Sequence, residues 1–178
     1  MSRIKHVQLM ASYNEWMNAR LYEVAMKLPD EECSRDRKAF FKSILGTLNH
    51  LVVADTLWLR RYVNHPACFP ALSVVKDWPT PTALDQILFA DMRDLGAHRR
   101  VIDKTILDFA ASLSEQDLDV TLHYSSTKGI PFAKNFFNLL MHFFNHQTHH
   151  RGQTTTLLMQ QGVDVGVTDL LLLIPDEK

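Results

Sequence analysis

Four of the nine histidines fall between residues 142 and 150, in the run His142-Phe-Phe-Asn-His146-Gln-Thr-His149-His150-Arg-Gly-Gln153. Imidazole binds borderline transition metals and exchanges protons near neutral pH, so the spacing decides what such a cluster can do. On a helix, residues four apart stand above one another on one face, which makes His142/His146 and His146/His150 both two-point grips on a metal. The apolar period separates them. With Phe143 as origin and about 100° per residue, Leu139, Phe143, His150, Thr154 and Leu157 lie within about 40° of one meridian. His146 lies about 60° from it, whereas His142 and His149 fall roughly 100° to 120° away. The inward pair is His146 and His150. Zinc and its neighbours take three or four protein ligands, so a third must come from another element.

The elements that must position these side chains follow from periodicity. Inward positions at Ile4, Val7, Ala11, Asn14, Asn18, Leu21, Ala25 and Leu28 form a seven-residue repeat, which predicts a long bundle helix ended by Pro29. The two asparagines in that seam must find partners, since an unsatisfied buried amide costs about 1–3 kcal/mol. They either bond to neighbouring helices or border a polar pocket. A second helix is predicted from about Ala39 to Val63, dense in Phe40, Phe41, Ile44, Leu45, Leu48, Leu51, Val52, Val53, Leu57, Trp58 and Leu59. Apolar on more than one side, it reads as packed inside its own bundle and also against a second subunit. Its one embedded histidine, His50, has Gly46 and Ala54 one turn away on either side, which leaves room around the ring. Alone, His50 reads as a satisfied core histidine; beside an inward pair on another helix it is the candidate third ligand.

Residues 64–80 carry several prolines and no sustained period, so they read as a long connection able to cover a site. His65 and Trp78 lie in it with local packing or exposure as their plain roles. Thr80-Pro81 reads as a helix start, and the third helix is predicted to run to about Ala111, with His98 inward and structural. Val120–Tyr124 and Ile130–Phe132, joined through Lys128-Gly129, predict a short β-hairpin. The fourth helix, from about Lys134 to Gln161, carries the histidines. Leu170–Ile174 is too apolar to hang free and should lie on the bundle.

Composition excludes several function classes. The chain of 178 residues is predicted to be one domain, 1–178, all-α apart from the hairpin. Its two cysteines, Cys33 and Cys68, form no metal or redox spacing. The amino terminus lacks the apolar core of a signal peptide, and a cytoplasmic location is expected. No apolar run approaches a membrane span. With 19 basic against 20 acidic side chains and no long basic run, no nucleic-acid partner is expected.

The spacing of His146 and His150 matches the zincin signature, but Gln147 stands where that signature has its glutamate base and cannot take a proton. A di-iron carboxylate bundle requires Glu-x-x-His pairs, which do not occur here. What remains is a three-imidazole site, His50, His146 and His150, suited to zinc, nickel, iron or copper and leaving positions open for water, a thiolate or a substrate oxygen. Such a metal could also tie helices together. Gln147, His149, Gln153 and Asp55 are candidates to support the ligands from outside, with helix-surface or capping roles as the plainer reading. A further reading has the histidines as a satisfied polar core without metal.

The segments Tyr13-Asn14-Glu-Trp16-Met-Asn18-Ala-Arg-Leu21, Thr47-Leu-Asn-His50-Leu-Val-Val-Ala-Asp55 with Trp58, and Asn145-His146-Gln-Thr-His149-His150-Arg151-Gly152-Gln153 resemble the DinB-like (DinB/YfiT) family of metal-dependent enzymes. The resemblance runs in order over nearly the whole chain. It implies an up-down-down-up four-helix bundle, usually a homodimer, with a divalent metal on the histidines matching His50, His146 and His150. Zinc or nickel comes first, then iron. Some relatives are similar to transferases or isomerases that use a low-molecular-weight thiol, and others to hydrolases. The family name refers to damage-inducible expression and implies no DNA contact. The expectation is a metal-dependent enzyme activating a thiol or water against a small electrophile, with thiol transfer favoured. Its rival is a non-catalytic dimeric metal-binding module with a structural or stress-sensing role.

Overall fold

In the computed structural model, which describes residues 2–176, the chain is mostly helical with one small antiparallel sheet. Helix α1 spans Arg3–Ala25, capped by Ser2, whose hydroxyl accepts from the Lys5 amide. Val7, Ala11, Asn14, Asn18, Leu21 and Ala25 are buried along it, as the seven-residue repeat requires. A short helix α2, Asp30–Ser34, leads to α3, Ile44–Tyr62. The remaining elements are α4, Met92–Ser112; strands β1, Thr121–Ser125, and β2, Pro131–Asn135; and α5, Phe136–Met159. The strands pair from Thr121↔Asn135 to Ser125↔Pro131, turning through Gly129 at φ +77°.

Two expected helix starts move. α3 begins at Ile44 rather than near Ala39, because Lys38 and Lys42 adopt positive φ and the Ser43 hydroxyl caps the helix by accepting from the Gly46 amide. Phe40 is therefore 86 % exposed and Phe41 sits in a turn instead of a helix seam. α4 begins at Met92 rather than at Thr80-Pro81, because Asp91 caps it by accepting from the Arg93 and Asp94 amides. Residues 79–91 form an irregular strap, held by the Asn49 side chain, which accepts from the Leu88 and Phe89 amides and donates to the Phe89 carbonyl. The connection before it contains a 3-10 turn, Pro70–Asp77.

Side-chain partners give the directions of the long helices. α1 runs antiparallel to α4, since Asn18 and Asn14 meet Asp103 while Gln8 meets the Ala110 carbonyl. α3 runs antiparallel to α5, since His50 meets His146 while the Tyr62 hydroxyl donates to the Leu139 carbonyl. α1 and α5 run parallel, with Arg3 over Phe137 at one end and Arg151 over Tyr13 further along. Residues 44–56 of α3 are all buried within this single chain, covered by α5, α4, α2 and the 3-10 turn. Its apolar breadth therefore needs no second subunit to explain it.

His65 and His98 are both packed locally. His65 is buried and donates to the Asp117 carbonyl, and His98 lies between Trp78 and Phe89. The C-terminal segment lies on α1, where Tyr13 donates to the Thr168 carbonyl and Arg20 to the Val165 carbonyl, although Leu171 and Leu172 stay exposed. Among the described residues, no helix is long and apolar enough to cross a membrane.

Candidate metal centre

The antiparallel pairing of α3 and α5 places His50 opposite His146 and His150, and one ligand atom from each lies within 4.8 Å of the others. Residues four apart on α5 deliver two rings to one point, and the third arrives from α3 without any distortion of either helix. His50 and His146 approach through their Nε2 atoms at 3.2 Å. The His150 ring lies 4.5 Å from that of His50 and 4.4 Å from that of His146, centroid to centroid.

Hydrogen bonds set the tautomers. His50 Nδ1 lies 2.8 Å from the Leu84 carbonyl oxygen, which can only accept, so the proton sits on Nδ1 and the Nε2 lone pair faces the cluster. His150 Nδ1 donates in the same way to Gln153 Oε1 at 2.8 Å. The Gln153 amide in turn donates to His149 Nε2 at 3.1 Å. Outer hydrogen bonds of this kind orient imidazoles toward a cation.

Burial pushes the pKa of His50 down to about 4, with the Leu84 hydrogen bond opposing. Burial, reinforced by the neighbouring histidines, takes His146 to about 3. His150 is also lowered by burial, with the Gln153 hydrogen bond opposing. All three are neutral at physiological pH, the state in which imidazole is a ligand. Two lone pairs directed at one point repel unless a cation or a shared proton lies between them. The donor set thus fits a divalent transition metal.

Phe41 stacks on His50, with centroids 3.8 Å apart and planes 15° from parallel, and meets His150 edge-on. The turn before α3, which sequence periodicity assigns to the helix, thereby walls one side of the cluster. Neither Phe41 nor the Leu84 carbonyl carries a local signal for this role, because both arrive from irregular segments.

The remaining candidates divide into two groups. Gln153 and His149 sit beside His150. Asn14, Asn18 and Gln147 face away from the cluster into a buried polar network that joins all four long helices. There Asp55 accepts from Arg99 and Gln147, Asp103 accepts from Asn14 and Asn18 and lies 2.9 Å from Arg99, and Arg151 donates to Asn14. Arg99, Asp103, Asp55 and Arg151 are each at most 3 % exposed. Two guanidiniums and two carboxylates balance in charge, as buried ions must. Arg99 and Asp103 stand four apart on α4, a signal that inward periodicity alone does not distinguish from a solvated pair.

A sequence model of the DinB family matches residues 1–177. The chain belongs to the DinB family. Among curated proteins it is similar to Protein DinB of Bacillus subtilis (strain 168), with 26 % identity over 157 residues, covering 88 % of this chain and 87 % of that protein. No solved structure matches it. For a DinB-family chain, the histidine cluster between α3 and α5 is a group that could hold a metal ion.

Proposed function

We propose that this DinB-family protein is a divalent-metal-dependent enzyme whose metal is held by His50, His146 and His150 and which transfers a thiol to, or hydrolyses, a small electrophilic substrate. The observation that carries the reading is the convergence of three neutral imidazoles within 4.8 Å, with no carboxylate among them. A bound zinc, nickel or iron ion would supply a Lewis acid that lowers the pKa of a thiol or a water.

The chain's own residues favour the thiol. Asp55, the carboxylate nearest along α3, is engaged by Arg99 and Gln147 and is unavailable as a base. Gln147 cannot accept a proton. A metal-bound thiol is ionised outright, whereas a metal-bound water without a neighbouring base is only partly ionised near neutral pH. Leu84 and Gln153 hold two rings in the ligand tautomer, and Phe41 excludes water from one side.

The helix directions support an up-down-down-up four-helix bundle within a single domain, 1–178. A cytoplasmic homodimer acting on a small molecule with a low-molecular-weight thiol completes the reading. Purified protein should carry about one metal per chain, measured by mass spectrometry of the dialysed protein, and His146→Ala should remove it. Metal content unchanged by that substitution sinks the assignment. A screen of the zinc- and nickel-loaded protein with several thiols and a chromogenic electrophile tests the chemistry. Tight metal without turnover would transfer the reading to a non-catalytic module.

A further inference from the structure

One cation near the histidine cluster has no counterpart among the described residues. Every other buried or half-buried arginine meets an oxygen: Arg3 meets Glu115 and Asp119, Arg20 the Val165 carbonyl, Arg37 Glu32, Arg60 the Trp78 carbonyl, Arg99 Asp55, and Arg151 Asn14. Arg61, half-buried on α3, has neither a carboxylate in ion-pair distance nor a hydrogen-bond acceptor among the described residues. Its guanidinium instead packs over two adjoining rings, 4.5 Å from the Trp58 centroid and 5.1 Å from that of Tyr124. Aromatic stacking fixes the plane of a guanidinium while leaving its N–H edge free for a planar anion. Burial already disfavours its charge, so an anion that meets that edge gains more than it would in water.

Its place in the fold relates this cation to the cluster. On α3, His50, Ala54, Trp58 and Arg61 succeed one another at helical spacing, and on α5 His150, His146 and His142 run in the opposite direction beside them. The Trp58 ring lies 5.1 Å from that of His142, which lies 6.0 Å from that of His146. Ala54, between them, presents only a methyl group. His142 is exposed and His146, Trp58 and Arg61 are half-buried, so the seam between α3 and α5 is reachable from solvent.

We propose that this seam is a substrate subsite for an elongated small molecule ending in a carboxylate, which pairs with Arg61 while the reacting end lies at the histidine cluster. The inference deepens the metal reading and rests on it for the reacting end only. Eleven residues of helix separate His50 from Arg61, about 16 Å along the axis, and a helical side chain leans back toward the N-terminus. His50 leans the same way, so only the greater length of the arginine shortens this offset, and the guanidinium edge stands roughly 10–15 Å from the cluster, the reach of an extended peptide of three to four residues. A two-carbon thiol is too short to reach both ends.

The test uses S-methylglutathione, a tripeptide of that length with free carboxylates and no thiol, and its diethyl ester. Each is titrated into the metal-free full-length protein while tryptophan fluorescence is followed, with Trp58→Phe to assign the signal. The wild type should show saturable binding of the acid, weakened at least about tenfold in Arg61→Gln and partly retained in Arg61→Lys. The ester should bind weakly and equally to the wild type and Arg61→Gln. Circular dichroism of each variant confirms the fold. Equal affinity of wild type and Arg61→Gln for the acid, equal affinity of the wild type for acid and ester, or no saturable binding by the wild type overturns the subsite. If zinc is not retained by the wild type while Arg61-dependent binding persists, the subsite stands and the metal reading falls.

Discussion

His50 and His146 face one another through Nε2 atoms 3.2 Å apart, across the seam between two antiparallel helices. The Nδ1 proton of His50 is committed to the Leu84 carbonyl, so at least one of the two facing nitrogens offers a bare lone pair. Without metal, the Nε2–H tautomer of His146 donates to that lone pair, whereas a cation between the rings requires both nitrogens to present lone pairs. The behaviour of the cluster with and without metal follows from it.

Gln153→Ala should weaken metal binding by about 10–100-fold without abolishing it, because it removes the acceptor that orients His150 but leaves every ligand in place. Competition with a chromogenic chelator measures this. His142→Ala should leave the affinity unchanged in the same assay, since its ring lies outside the cluster.

Metal-free protein should lose stability as pH falls below about 6.5. The pKa values of His50 and His146 are lowered in the folded state, to about 4 and about 3. The unfolded chain therefore takes up protons first, near the ordinary value of about 6.5. Stability from these groups is complete above that value and is lost as the pH falls toward 4. Thermal unfolding at pH 8, 6 and 5 should show a flat region and then a decline, and His146→Gln should make the decline shallower.

Asp55→Ala should destabilise the fold by about 3–5 kcal/mol, because it strips the buried Arg99 guanidinium of one of its two carboxylates and leaves Gln147 without its acceptor. Urea denaturation of the metal-free protein reads this directly. Asp55→Asn should cost less, since it keeps an acceptor for one of the two donors. An Asp55→Ala effect below about 1 kcal/mol would show that the network contributes little to stability.

Gly46→Ala should perturb the cluster at a distance. A Cβ at this position would collide with the backbone carbonyl oxygen of Phe41. The turn that lays Phe41 on His50 must then shift, at a cost of about 1–3 kcal/mol. Faster metal loss to a chelator, together with a lowered melting temperature, is the expected outcome. Phe41→Ala should reproduce the faster loss with a smaller change in stability.

Much of the helical content was legible because it is local. The heptad of α1, the Gly129 turn of the hairpin and the histidine period of α5 all follow from side-chain spacing along one segment. The starts of α3 and α4 were not, because Phe40, Phe41, Leu84 and Leu88 are apolar enough to continue a helix. Positive φ at Lys38 and Lys42 and the caps at Ser43 and Asp91 prevailed over that pattern.

By itself, the sequence determined that His146 and His150 share the inward face of one helix, because a 3.6-residue period admits no other pairing with Phe143 and Leu157. It also required partners for Asn14 and Asn18, and resemblance over the whole chain pointed to the family. Only the tertiary structure decided which partners those are, which tautomers His50 and His150 adopt, and that Phe41 closes one side while Arg61 meets no anion among the described residues. Those outcomes depend on how α3 registers against α5 and on the path of two irregular segments. Such contacts join residues far apart in sequence, and no local spacing rule encodes them.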